Sequence, residues 1–107
     1  LKLYEAEIER VDDVAERVRA LGGRPLGSME AMLQANHIQE FEMSQPLPTD
    51  MEMWKIISAD WDTVIRRIRE IHDQVPPADQ GTLNFLEDMI ESMEKEAWMN
   101  RSYNEMR

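Results

Sequence analysis

Apolar residues recur every three or four positions along three long stretches of this chain, and that spacing constrains the fold more than any other feature. A step of three or four residues returns a side chain to the same face of an α-helix, so each stretch predicts a helix with one buried stripe. No stretch shows the alternation of a half-buried strand. The sequence therefore predicts an all-α protein. The clearest stripe comprises Trp54, Ile57, Trp61, Val64, Ile68, Ile71 and Val75.

The first two predicted helices have clear stop and start signals. The first runs from the N-terminus to Leu21 and ends at Gly22 and Gly23, because glycine is the usual residue of a left-handed C-terminal cap. Ser28 can accept a backbone hydrogen bond and so begin a short second helix through about Ala35. The stretch 36–48 has mixed polarity and two prolines, which predicts a loop.

The last two predicted helices are the longest. Thr49 and Glu52 have the spacing of a capping box and open the third helix, which we expect to stop before Pro76. Asp79 is suited to cap the fourth helix, which should persist beyond Trp98.

Composition restricts the class of protein. The chain has 107 residues, no cysteine and a formal charge of -10, which predicts one soluble globular domain over residues 1–107 with neither disulfides nor a thiolate metal site. A cytoplasmic location fits the absence of cysteine. No apolar run reaches the roughly 18 residues that a bilayer-spanning helix needs. The acidic balance is opposite in sign to that of a typical DNA-binding protein.

One acidic pair stands out on the first predicted helix. Asp12 and Glu16 are one helical turn apart, beside the apolar stripe, in a row with Glu5 and Glu9. Carboxylates at this spacing repel one another by a few tenths of a kcal/mol per pair. Such a ridge is stable either in open water or around a bound cation, and the spacing alone leaves both alternatives open.

Several motifs in order make the whole chain resemble the Dps family, the mini-ferritins. The first is D-x-x-A-E-R, which begins at Asp12, and the second is L-G-G-x-P-x-G-S, which ends at Ser28. The start of the last helix reads D-x-x-T from Asp79, and the chain closes with M-E-K-E-A-W-M at 93–99.

The resemblance implies a ferritin-like four-helix bundle with a short extra helix in a connection. This chain would hold three of the long helices and the short one, as a single Dps-type domain that lacks the first helix. Twelve subunits of such proteins form a hollow shell, where ferrous iron is oxidised by hydrogen peroxide or oxygen and stored, which protects against oxidative stress. The resemblance assigns Asp12 and Glu16 to the metal and catalytic site at a subunit interface. It assigns Asp79 and Asp88 to a three-fold pore, although Asn84 replaces a frequent pore acid.

The chain also departs from the family pattern. Counting back from Asp12, a further iron-binding carboxylate would fall at Leu1, and neither His37 nor His72 matches the histidine ligands; we expect both histidines to be exposed. Ferroxidase activity therefore depends on ligands from another segment or chain, and the alternative function is a non-catalytic helical assembly module that has lost the iron site. Apolar residues outside the main stripes predict self-assembly or a separate N-terminal segment that completes the bundle. These residues are Ile56 and Ile65 on the third helix and Phe85, Met89 and Met99 on the fourth. Direct DNA binding by this chain is not expected, because it is acidic and shows no Lys-rich tail, although a tail upstream of residue 1 would reverse this expectation.

Overall fold

Four helices make up the structure, a computed structural model that describes residues 2–40, 42 and 44–105. The helices are α1 (Lys2–Ala20), α2 (Met29–Ala35), α3 (Asp50–Gln74) and α4 (Gln80–Glu105). These described residues contain no strand, so the predicted all-α class is confirmed. The chain divides into two compact units, residues 1–36 with α1 and α2, and residues 37–107 with α3 and α4.

The end of α1 is set by two glycines, as the sequence predicts. Gly22 has a φ of 89°, in the left-handed region that side chains with a Cβ disfavour. Its N–H donates to the carbonyl of Arg19 at 3.0 Å, and the N–H of Gly23 donates to the carbonyl of Val18 at 2.9 Å. This pair of hydrogen bonds is the Schellman motif, which satisfies carbonyls that the last helical turn leaves open.

The starts of the other helices also follow their predicted caps. The hydroxyl of Ser28 accepts from the N–H of Ala31 at 3.1 Å and begins α2. Both hydrogen bonds of the capping box form at α3: the N–H of Glu52 donates to the Thr49 hydroxyl at 3.2 Å, and the Thr49 N–H donates to the Glu52 carboxylate at 3.4 Å. Caps of this kind stabilise a helix by about 1 kcal/mol each.

The described core of the second unit lies between α3 and α4, which pack as an antiparallel hairpin. Met93 is 1% exposed and is the most completely buried large side chain. Its core neighbours are Ile65, Ile68, Leu86 and Ala97, with Trp61, Val64, Val75, Phe85, Met89 and Ile90 packed around them. The rings of Trp54 and Tyr103 are 5.2 Å apart near the open end of the hairpin. Among the described residues, no helix combines the length and apolar character needed to cross a bilayer.

The apolar residues that the sequence placed beside the main stripes differ in how deeply they are buried. Ile65, predicted to lie beside the stripe of α3, belongs to the buried core because α4 packs on that side of the helix. Phe85 and Met89 are partly buried against the same core. Ile56 and Met99 remain 45% and 54% exposed, respectively.

Candidate metal centre

Asp12 and Glu16 lie on α1 as predicted, four residues apart and both exposed. Four residues make about one turn of an α-helix, so the two side chains leave the helix about 6 Å apart along its axis and on one face. Within the part of the chain that the structure describes, neither carboxylate makes a hydrogen bond or an ion pair. Their oxygen atoms are therefore available to a cation.

The surroundings of this pair are mostly acidic, although Arg19, three residues after Glu16, is exposed on the same flank. Glu5 and Glu9 are exposed on the same flank of α1, within about 60° of arc of Asp12 and Glu16. One basic side chain on the helix is engaged elsewhere: Arg10, with 13% side-chain exposure, pairs with Glu7 at 2.8 Å. Like charges along one flank attract counter-ions. The ridge of α1 is therefore a favourable place for a positive ion.

The chemistry of the donors fits ferrous iron in part. Carboxylate oxygens are hard ligands, and iron in non-haem sites combines them with imidazole. Asp12 and Glu16 can supply two positions of such a site. Among the described residues, no group of three or more His, Asp or Glu side chains has the geometry to hold a metal ion. Leu1, at the position where the resemblance places a further carboxylate, lies outside the described residues.

The two histidines behave differently from one another. His37 is exposed in the loop between α2 and α3, as expected. The prediction that His72 is exposed was wrong: its side chain is 28% exposed, and its Nε2 lies 2.8 Å from a carboxylate oxygen of Glu87. The hairpin turn brings the end of α3 against α4, and this contact covers the ring. Sequence spacing could not reveal it, because Glu87 is on another helix.

Asp79 and Asp88, the predicted pore acids, lie in different settings. The Asp79 carboxylate accepts from the Thr82 N–H at 3.2 Å and from the Thr82 hydroxyl at 2.7 Å, which is the predicted capping role. Asp88 is exposed on α4. Nine residues separate the two, so they leave the helix on opposite sides, about 180° apart. A pore role for either acid remains a prediction.

A third acidic group was not predicted from the sequence. Asp60 on α3 borders a shallow cavity of about 350 Å³, together with Glu40, Glu42 and Gln45 of the preceding loop. Partial burial raises the pKa of Asp60 above its ordinary value of 3.8 because it penalises the charged form. The mixed polarity of the loop is the one sequence signal for this contact, and it does not specify where the loop packs.

Comparison with known proteins extends over nearly the whole chain. The sequence profile of a family described as "Ferritin-like domain" matches residues 1–106. A low temperature-induced protein of Nostoc sp. (strain PCC 7120) is 40% identical over 104 residues, which cover 95% of this chain and 57% of the relative. This chain therefore spans a little over half the length of that relative.

More distant relatives carry names that refer to stress. DNA protection during starvation protein 2 of Bacillus anthracis is 27% identical over 103 residues, which cover 95% of this chain and 68% of that protein. General stress protein 20U of Bacillus subtilis (strain 168) is 26% identical over 105 residues, with 95% of this chain and 69% of that protein covered. The similarity to DNA protection during starvation proteins agrees with the resemblance that the motifs indicate.

Proposed function

The chain belongs to the ferritin-like domain family, and from this membership we propose that it is a Dps-like, iron-binding mini-ferritin subunit. In this proposal Asp12 and Glu16 bind ferrous iron where two subunits meet, the iron is oxidised there, and the ferric product is stored. Removal of free ferrous iron protects against oxidative stress. The names of the starvation and general stress relatives support this role.

The observation that carries the proposal is the pair of unpaired carboxylates on α1. Asp12 and Glu16 would donate oxygen atoms to one ion, and the flanking Glu5 and Glu9 would concentrate cations near it. Two negative ligands favour Fe³⁺ over Fe²⁺, since the attraction grows with the charge of the ion. With hydrogen peroxide as oxidant, two Fe²⁺ ions each lose one electron, and H₂O₂ with two protons becomes two water molecules.

The proposed function also requires further subunits and iron ligands from outside the described residues. We propose that the subunits form a closed shell, of twelve copies by family resemblance, in the cytoplasm. The remaining iron ligands would come from another segment or a neighbouring chain. Asp79 and Asp88 would lie along the route by which cations enter the shell. The capping role of Asp79 is compatible with such a position, because its partly buried carboxylate is at the start of α4.

The alternative is a helical assembly module without iron chemistry. Leu1 supports it, because an apolar side chain stands where the family pattern expects an iron-binding carboxylate. The two functions differ in what a metal titration shows. A mini-ferritin subunit binds Fe²⁺ or Zn²⁺ stoichiometrically, whereas an assembly module has no tight site.

The test compares two double variants that remove the same charge. D12A/E16A deletes the proposed ligands, and D13A/E30A deletes two other exposed carboxylates of the same compact unit. We expect D12A/E16A to lose stoichiometric anaerobic Fe²⁺ binding in calorimetry and to slow peroxide-driven iron oxidation, followed by ferric absorbance, by at least about tenfold. D13A/E30A should retain both. Unchanged binding and oxidation in D12A/E16A would remove these residues from the site.

A further inference from the structure

Three arginines border one cavity of the α3–α4 hairpin. Arg66 and Arg69 are three residues apart on α3, so they leave that helix about 4.5 Å apart along its axis and on one side of it. Arg101 of α4 borders the same cavity, which has a volume of about 420 Å³. We call it the arginine cavity. Its other lining residues are Asp62, Ile65, Glu94 and Ala97.

The arginine cavity combines an apolar floor with charged walls. Ile65 and Ala97, which line it, are only 7% and 4% exposed. Hydrogen bonds to charged groups are stronger beside such a floor, because water screens them less than it does on an open surface. The three arginines are themselves exposed, so a ligand can enter the cavity from solvent.

The charges of the arginine cavity do not cancel. Arg69 forms an ion pair with Glu94 through its Nη2, and the other nitrogen atoms of the guanidinium still carry donors. Asp62 is the one further acid of the cavity, against both Arg66 and Arg101. Three arginines and two carboxylates leave one net positive charge, in a chain whose formal charge is -10.

Two of the arginines have donors that no described carboxylate uses. Asp62 is four residues before Arg66, a spacing at which ion pairs form on helices, yet Arg66 donates instead to the hydroxyl of Thr63 at 3.3 Å. Among the residues that the structure describes, Arg101 makes neither a hydrogen bond nor an ion pair. Donors of this kind around one cavity favour a ligand with several hydrogen-bond acceptors.

We propose that the arginine cavity binds a phosphate group, either as inorganic phosphate or as the phosphate monoester of a small molecule. Arginine suits this ligand because its planar guanidinium donates two parallel hydrogen bonds to phosphate oxygens. A tetrahedral phosphate presents oxygen atoms in several directions, so it can accept from both helices at once. A carboxylate ligand has two oxygen atoms, which one arginine can satisfy. Arg66 and Arg69 bind the phosphate from α3, and Arg101 binds it from α4.

The neighbouring acidic residues exclude an extended polyanion. Beyond the ion pair of Arg69 with Glu94, a second cavity of the hairpin is bordered by Asp73, Glu87 and Glu91. A nucleic acid strand that continued along the hairpin would meet these carboxylates, which repel its backbone. A single phosphate group needs only the arginine cavity.

Phosphate binding at this cavity does not depend on the proposed iron chemistry. The arginines are in the compact unit of residues 37–107, whereas Asp12 and Glu16 are in residues 1–36. Metal-free protein is used throughout, so that phosphate cannot bind through iron. D12A/E16A should therefore bind phosphate like the original chain. A failure to bind phosphate leaves the iron proposal standing.

The test measures the binding of radiolabelled inorganic phosphate to the full chain by equilibrium dialysis, in a chloride buffer of low ionic strength. We expect saturable binding of one phosphate per chain, which weakens as sodium chloride is added. R66Q/R101Q should weaken it at least about tenfold, because charge-assisted hydrogen bonds are lost. The matched control R67Q/K95Q removes two basic side chains, one on each helix, that do not border the cavity, and should bind normally. Circular dichroism checks that all variants keep their helix content.

Competition identifies the source of the phosphate group. Displacement by glycerol 3-phosphate, but not by glycerol, indicates a phosphate monoester, and displacement by unlabelled inorganic phosphate alone indicates the free ion; both support the site. The proposal is overturned if the original chain binds no phosphate, if R66Q/R101Q binds it equally well, or if R67Q/K95Q is weakened to the same extent. It is also overturned if a short single-stranded DNA displaces phosphate more effectively than either small ligand.

Discussion

Replacement of Met93 by alanine tests whether the α3–α4 core carries the stability of the second unit. Met93 is 1% exposed, so truncation beyond Cβ removes three buried heavy atoms. The lost transfer free energy alone is about 2 kcal/mol, and the cavity that remains brings the total to about 2–4 kcal/mol. At about 4–8 °C per kcal/mol for a domain near this size, the melting temperature should fall by about 10 °C or more.

The assay is urea unfolding followed by circular dichroism at one fixed protein concentration. Met99 provides the control, because it is on the same helix with the same chemistry but is 54% exposed. M99A should change the free energy of unfolding by less than about 0.5 kcal/mol. Equal losses in M93A and M99A, or a loss in M93A below about 1 kcal/mol, would refute the assignment of the core to this contact.

Two further outcomes are expected from local structure. G22A should lower the free energy of unfolding by about 1 kcal/mol, because Gly22 has a left-handed φ. G27A should be nearly neutral in the same urea titration, since a Cβ there meets no atom within 4 Å. D60N should stabilise the chain at pH 7. Burial raises the pKa of Asp60, so the folded state binds the proton more tightly than the unfolded state does. The contribution of this group to the free energy of unfolding therefore falls as the pH rises from below 3.8 to above the folded-state pKa. The melting-temperature difference between D60N and the original chain should shrink below pH 3.8, and a difference that stays constant with pH would contradict this cause.

The helices were predictable from sequence because their signals are local. Gly22, Ser28 and the pair Thr49 and Glu52 act on backbone groups within five residues, and each forms the expected hydrogen bonds. The side of α3 that α4 covers was not predictable. The apolar stripe identified the buried face only to within part of a turn, and the packing of α4 made Ile65 a core residue instead of a neighbour of the core.

The candidate site likewise combines local features that the sequence predicted with tertiary contacts that it did not predict. The relation of Asp12 to Glu16 follows from one turn of helix, so the sequence predicted their shared face. Ligands from other elements leave no trace in local spacing, and neither do tertiary contacts such as His72 with Glu87.

The division of the chain into two compact units has an evolutionary consequence. Asp12 and Glu16 are in residues 1–36, whereas the five buried apolar side chains found among the described residues are in residues 37–107. If Asp12 and Glu16 bind iron as proposed, substitutions that remove their carboxylates disturb little of the described packing. Under the proposed function, a lineage can lose metal binding on α1 while it retains the hairpin, so loss of that function and loss of foldability need not accompany one another.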